Sequence, residues 1–316
     1  MASVPRMEIR RIRDDEVDAV ARWIATQQAD PARHIGSESM DAGAIATDLR
    51  QLEPGGLDDV LVAVDGDDVV GLLALEHDTV PPRVWWRGPY VADGADVDAV
   101  ADALLAVGRA RLPGHVTQEE FGADARHAWL PAFAERHGFV AEEASAVLVR
   151  DLGGDADVLR GAAAPPAGVE LARVSDATAP AVVALHDAIF PGTHSSGTRI
   201  AAPGQDHAVL VASRAGEVVG YVAVERQEDA TGYVDYLGVA VGERGTGIGR
   251  ALVAAGCVWL HDEAGCPSVN LTVRESNRGA RRLYESLGFD EERLLRPYRR
   301  GFSLAHLDTP PPADPG

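Results

Sequence analysis

The feature that most constrains how this chain can fold is a long internal repeat. Val69-Val70-Gly71-Leu72-Leu73 recurs as Val218-Val219-Gly220-Tyr221-Val222, each time as the second arm of an apolar hairpin whose first arm runs Leu61 to Val64 or Leu210 to Ser213. Further on, His137-Gly138-Phe139 recurs as Leu287-Gly288-Phe289 in nearly the same register. A period of roughly 150 residues is too long for a solenoid unit and reads as domain duplication, which suits a chain of 316 residues. The expected layout is a first domain over 1–152, a linker over 153–168, a second domain over 169–307 and a disordered tail over 308–316. Gly153-Gly154 and Ala162-Ala163-Ala164-Pro165-Pro166 supply the linker-like composition, and Pro310-Pro311-Pro312 marks the tail.

Each half reads in the same order. Asp14 and Ser175 are the expected caps of a first helix, carrying Val17, Val20, Ala21 and Ile24 in one half and Val182, Leu185, His186 and Ile189 in the other. The hairpin follows, then a strand, then a helix with stripe Val97, Ala101, Leu104 or Ile248, Leu252, Ala255, Trp259. Another strand leads to a last helix, whose face Ala280, Leu283, Tyr284, Leu287 is closed by Gly288. The fold class is therefore mixed α/β, a mostly antiparallel central sheet flanked by helices, built twice.

Composition excludes several function classes. The net charge of −20 argues against nucleic-acid or anionic-membrane partners. No apolar run approaches the ~18 residues of a membrane helix, and Met1 to Arg11 lacks the apolar core of a signal peptide, so the expected location is the cytoplasm. Cys257 and Cys266 have no Cys or His pair beside them, so they are expected to be buried thiols, with no metal site. All 29 basic residues are Arg, which leaves no lysine to act as a base.

Between the strand ending near Val241 and the helix from Ile248 lies Arg244-Gly245-Thr246-Gly247-Ile248-Gly249-Arg250. A glycine-rich turn at a helix start lets backbone N–H groups approach a pyrophosphate. Glycine-rich turns of this kind also arise for tight packing alone, so the motif gains weight from its context. No Gly-Lys-Ser/Thr follows, and a hairpin precedes it, which disfavours a P-loop or a dinucleotide fold. Together with Leu237-Gly238-Val239 upstream and Asn277, Ala280, Arg281, Leu283, Tyr284, Leu287-Gly288-Phe289 downstream, the second half resembles the GNAT acetyltransferase superfamily.

The resemblance implies that residues 244–250 bind the pyrophosphate of acetyl-CoA and that the backbone of Leu237, Gly238 and Val239 pairs with the pantetheine arm. It further implies that Asn277 and Arg281 lie at the CoA site and that Tyr284 stands near the thioester sulfur as the acid. Asp235 and Glu225 compete for the base: period-2 alternation puts Asp235 on one face with Leu237, and Glu225 ends the adjacent hairpin arm. His194, in the loop after the first helix of the second half, is a weaker candidate, and Arg293, Arg296, Arg299 and Arg300 are expected to form a solvated face.

The first half departs from the pattern. At the repeat offset Arg244, Gly247 and Gly249 correspond to Gly94, Val97 and Ala99, with Asp96 and Asp98 where phosphates would lie, and Asn277 and Tyr284 correspond to His127 and Ala134. The first half is expected to keep the scaffold and lack the site. The implied function is acetyl transfer to a primary amine of a small molecule by a monomer or homodimer. The alternatives are an acetyltransferase like those that form mycothiol, which share the tandem layout, and an acyl-CoA-binding sensor without turnover.

Overall fold

The computed structural model describes residues 7–36, 39–79, 81–154, 156–191, 193, 195–202, 204–227 and 229–301. His194 and the tail over 308–316 lie outside them. The chain divides into two compact units, and their limits differ from those expected. Residues 1–144 are joined by Arg293 onward in the first unit, and residues 145–292 form the second.

The first unit runs β1 (Glu8–Arg11), α1 (Val17–Gln28), α2 (Ala42–Arg50), β2 (Val60–Asp65), β3 (Asp68–His77), β4 (Arg83–Val91), α3 (Val97–Arg111), β5 (Gln118–Asp124), α4 (Leu130–Arg136) and β6 (Val140–Ala141). The second runs β7 (Ser145–Asp151), α5 (Ala156–Ala162), β8 (Val169–Arg173), α6 (Ala179–Ile189), α7 (Gly197–Ala201), β9 (His207–Arg214), β10 (Glu217–Arg226), β11 (Gly232–Val239), α8 (Ile248–Asp262), β12 (Ser268–Arg274) and α9 (Arg278–Ser286). The last strand is β13 (Asp290–Arg300), which enters the first unit from Arg293.

In the first unit the strands lie in the order β1-β2-β3-β4-β5-β13, and in the second β7-β12-β11-β10-β9-β8. Each sheet is antiparallel except at one junction, β4–β5 or β11–β12. The strand that completes each sheet comes from the other half of the sequence. β7 pairs with β12 along its whole length, Ser145↔Arg274 to Asp151↔Ser268, while β13 pairs with β5 from Leu295↔Asp124 to Arg300↔Glu119.

The repeat landmarks have a backbone cause. Ala215 and Gly216, in the turn between β9 and β10, both take positive φ, as a tight turn matched to strand twist requires. Gly138 and Gly288 end α4 and α9 at φ of +75° and +77°, the left-handed cap position. The first helices begin later than the expected caps. Asp14–Glu16 form a 3₁₀ turn before α1, and the cap of α6 is Thr178.

The expected linker is folded into the second unit. Within it, α5 packs on α8 through Leu159, fully buried, and Arg160 pairs with Asp262 at 2.8 Å. The four late arginines are not a solvated face either. Arg299 binds Glu120 and Glu142, Arg300 binds Glu119, Arg296 donates to the Glu142 carbonyl, and Arg293 reaches His34. Sequence places them in the second half, but β13 carries them into the first unit, where Arg299 and Arg300 meet the acids of β5. Cys257 and Cys266 are buried free thiols, as expected. No helix among the described residues is long and apolar enough to cross a membrane, and none of their His, Cys, Asp and Glu side chains cluster as metal ligands.

Candidate active site

β11 ends at Val239, a short turn follows over Val241–Glu243, and α8 starts at Ile248. Gly245 and Gly247 hold φ of +74° and +91°, values that L side chains rarely adopt. Gly247 is the N-cap of α8 and offers no side chain, so the first-turn N–H groups are not capped from that position. Arg244 Nε donates to the Val239 carbonyl at 3.2 Å and Thr246 Oγ1 to the Glu243 carbonyl at 2.7 Å, which fixes the loop from within. Gly249 has a different task. A Cβ there would stand 3.2 Å from Leu283 Cδ1, so this glycine lets α9 and β11 pack against α8. The cradle fits a pyrophosphate: it combines left-handed glycines, side-chain-free N–H groups and a helix N-terminus.

Upstream of the cradle the sheet opens. β11 pairs with β12 only at Gly232↔Val269 and Tyr233↔Asn270, whereas β12 stays paired with β7 from end to end. Over 234–239 the β12-facing edge of β11 therefore has no strand partner among the described residues, which leaves room for an extended ligand to pair there, although the Val239 carbonyl is already held by Arg244. Leu237, Gly238 and Val239 lie on this stretch. Gly238 is required there because a Cβ would come 2.4 Å from Tyr221 Cε1.

The placement of Asp235 corrects the alternation argument. Between β10 and β11, Ala223 faces Tyr236 but Val224 faces Val234, so Asp235 is the extra residue of a β-bulge. Leu237 packs toward Gly249 of α8, whereas Asp235 acts electrostatically on Tyr221 and Tyr236 and is acted on by Glu225 and Arg199. Asp235 and Leu237 thus do not share a face, because the bulge breaks the period of two. Burial, then repulsion from Glu225, push the Asp235 carboxyl up to about 7, against the pull of Arg199. Glu225 sits at the end of β10 opposite Tyr233 and His207. A carboxyl poised near neutrality beside a second one is an arrangement suited to proton transfer.

Tyr284 is buried on α9 with its ring edge-on to Phe289, 5.8 Å between centroids. Burial raises its hydroxyl well above the ordinary range, and Tyr233 and Cys257 are the groups that act on it. Asn277 caps α9 by accepting from the Ala280 N–H at 3.1 Å, and Arg281 pairs with Glu291 at 2.6 Å. Sequence reading missed Tyr233, whose hydroxyl lies 3.1 Å from Thr272 Oγ1 where the two strands part. It also missed the buried pair of His186 Nδ1 and Tyr221 hydroxyl at 2.6 Å, and His186 Nε2 donates to the Ser195 carbonyl at 3.0 Å. Both polar partners were hidden in apolar stripes, which carry no signal of what a side chain meets.

The corresponding place in the first unit is built differently. Asp96 caps α3, its carboxylate accepting from the Ala99 N–H at 3.1 Å, at the position Gly247 takes on α8. Leu75 faces Trp86 and Ala74 faces Arg87 without a break, so nothing is inserted where Asp235 stands; the register shift comes later, across Gly88-Pro89. β4 and β5 also part after Trp85↔Glu120. There Ile35 bridges Ala123, the Gly36 N–H donates to Gly122 at 2.6 Å, and the Asp124 N–H donates to His34 at 3.0 Å. Since β13 holds the other edge of β5, residues 34–36 take the edge that faces β4.

Residues 180–289, which lie in the second unit, match the model of the acetyltransferase (GNAT) family. Among similar proteins, the mycothiol acetyltransferase of Thermobispora bispora is 42% identical over 97 residues, 29% of this chain and 32% of that protein. The mycothiol acetyltransferase of Thermomonospora curvata is 45% identical over 81 residues, 26% of this chain and 27% of that protein. These matches span a third or less of the relatives' length. In fold, the whole chain resembles a GCN5-related N-acetyltransferase from Sphaerobacter thermophilus, with TM-score 0.73, 19% identity and coverage of 93% of this chain and 95% of that one. It also resembles a tandem GNAT protein from the clavulanic acid biosynthesis pathway, with TM-score 0.66, 18% identity and coverage of 94% and 99%. Both units are GNAT-like domains.

Proposed function

We propose that the second unit binds acetyl-CoA and transfers its acetyl group to the primary amine of a small molecule. The observation that carries this reading is the bulged Asp235, held near neutrality next to an open strand edge that leads to the glycine cradle. Acetyl-CoA supplies an activated thioester. An amine with a reference pKa of ~10 must lose a proton to attack it, and Asp235 accepts that proton, directly or through a water. The C–N bond forms as the C–S bond breaks, and the second proton of the attacking nitrogen passes to the departing thiolate through the Tyr284 hydroxyl, which burial keeps protonated, so that the amide and free CoA thiol are formed. Turnover of acetyl-CoA against a panel of amines tests the reading, and a chain that binds acetyl-CoA yet acetylates none of them would favour a sensor.

A second reading has specific support. The curated relatives that match part of this chain at 42–45% identity are mycothiol acetyltransferases, so unacetylated mycothiol belongs in the amine panel.

In Tyr284→Phe the ring and its packing on Phe289 are kept. kcat should fall on the order of 10- to 100-fold while acetyl-CoA affinity and the thermal midpoint stay close to wild type. Wild-type kcat would remove Tyr284 from the chemistry.

We infer also that only one unit takes CoA. Asp96 puts a carboxylate on the N-terminus of α3, and residues 34–36 occupy the strand edge in the first unit. Calorimetry should give one CoA per chain, and two equivalent sites would sink this part of the reading.

A further inference from the structure

The wedge between β11 and β12 has a closed end, and its closure has chemistry. The last backbone pair between the two strands is Tyr233↔Asn270. Two residues beyond it on β12, Thr272 Oγ1 lies 3.1 Å from the Tyr233 hydroxyl, so a side-chain bond crosses the gap just past the point where the backbone bonds stop. The Tyr233 ring is partly buried, and burial pushes its hydroxyl up to about 12, which keeps it a neutral donor or acceptor over the working range. The groups around this tyrosine are those the proposed reaction uses. Asp235 and Glu225 act on Tyr233 from one side, and Tyr233 itself acts on Tyr284.

The direction of a bound thioester follows from the ends of the strand. The cradle lies beyond the C-terminal end of β11, so an extended arm pairing along that strand runs from Val239 back toward Val234, five residue steps or about 17 Å. Its acyl end then points to the apex of the wedge. What stands there is the Tyr233–Thr272 bar. Lengthening an acyl chain beyond two carbons drives it into a ring pinned by a hydrogen bond and by the strands on either side.

We propose that Tyr233, held by Thr272, closes the acyl end of the slot and restricts the enzyme to short acyl groups. This inference rests on the acetyl-CoA reading of the second unit. It concerns which thioester is accepted, whichever amine receives the acyl group.

The test is calorimetric titration of the full chain with CoA, acetyl-CoA, propionyl-CoA and butyryl-CoA. In the wild type, CoA and acetyl-CoA should bind well, and each further methylene should weaken binding on the order of tenfold. Tyr233→Ala removes the bar, and butyryl-CoA should then bind within roughly threefold of acetyl-CoA, with free CoA unchanged. Thr272→Ala, at an exposed strand position, releases the ring without emptying its place and should relax the same ratio in the same direction. It decides the matter by itself if Tyr233→Ala does not fold. A wild type that binds butyryl-CoA as well as acetyl-CoA, or a ratio unmoved in the variants, overturns the proposal while leaving the CoA site standing. A wild type that binds no CoA at all overturns both.

Discussion

Replacing Gly247 with Asp is expected to reduce acetyl-CoA affinity at least 100-fold, because the new carboxylate would stand at the N-terminus of α8, where the pyrophosphate needs bare N–H groups. Like charges brought together in a binding site cost several kcal/mol, and each ~1.4 kcal/mol is a factor of ten. Part of the effect has another origin, since a side chain at φ of +91° is strained by about 1–2 kcal/mol whatever its charge. Gly247→Ala separates the two. It shares the strain without the charge, so its loss should be smaller and nearly independent of salt, while the extra loss in the Asp variant should shrink as ionic strength rises. The thermal midpoint of both should drop by only a few degrees. Unchanged affinity in Gly247→Asp, measured by calorimetry, would mean that phosphates do not bind at this loop.

Asp235→Asn should lower kcat/KM for the amine by about 10²–10⁴-fold, the range for a positioned general base. The pH profile carries the sharper expectation. Asp235 must be ionised to accept a proton, so wild-type activity should fall as pH drops through about 7, and this limb should vanish in the Asn variant. Glu225→Gln removes the second cause of the upward shift and should move the limb to lower pH with a smaller loss of rate. Stability should move the opposite way. With a folded value near 7 and an unfolded value of ~3.9, the folded state holds the extra proton between them; the stability this contributes is whole below ~3.9 and lost as pH rises through 7. Asp235→Asn should therefore raise the thermal midpoint most at pH 8, less at pH 5, and little below pH ~3.9. A profile with no limb near 7 in the wild type would exclude Asp235 as the base.

Much of the fold was legible because duplication repeats its punctuation. Gly138 and Gly288 each close a helix with a left-handed residue, and both hairpins turn over two residues, Gly66-Asp67 and Ala215-Gly216, so the order of elements in one half could be checked against the other. The cradle was legible for the same reason, since Gly245 and Gly247 are demanded by backbone conformation, which sequence states directly. Asp235 was picked for the wrong geometric reason. A bulge is one extra residue in a register between two strands, and period-2 counting along one strand cannot detect it. Asn277 has a task that the resemblance does not state: its Oδ1 caps α9 by accepting from the Ala280 N–H. The domain limits were displaced because β7 and β13 each complete the sheet of the half in which they do not lie. Nothing in a strand's own residues names the sheet it will join.

That exchange of closing strands sets the order in which a growing chain can finish its parts. The second unit is continuous from residue 145 to 292, so all of its strands have left the ribosome before β13 has. The first unit, although made first, stays one strand short until residue 300 is synthesised, which reverses the usual N-terminal-first completion of tandem domains. In that interval β5 presents an open edge, the kind of surface that recruits foreign strands. Glu119 and Glu120 lie on that strand, and charged side chains are among the devices that blunt an open strand edge. When Arg299 and Arg300 arrive on β13, the same two acids become the partners that hold the proper strand in place.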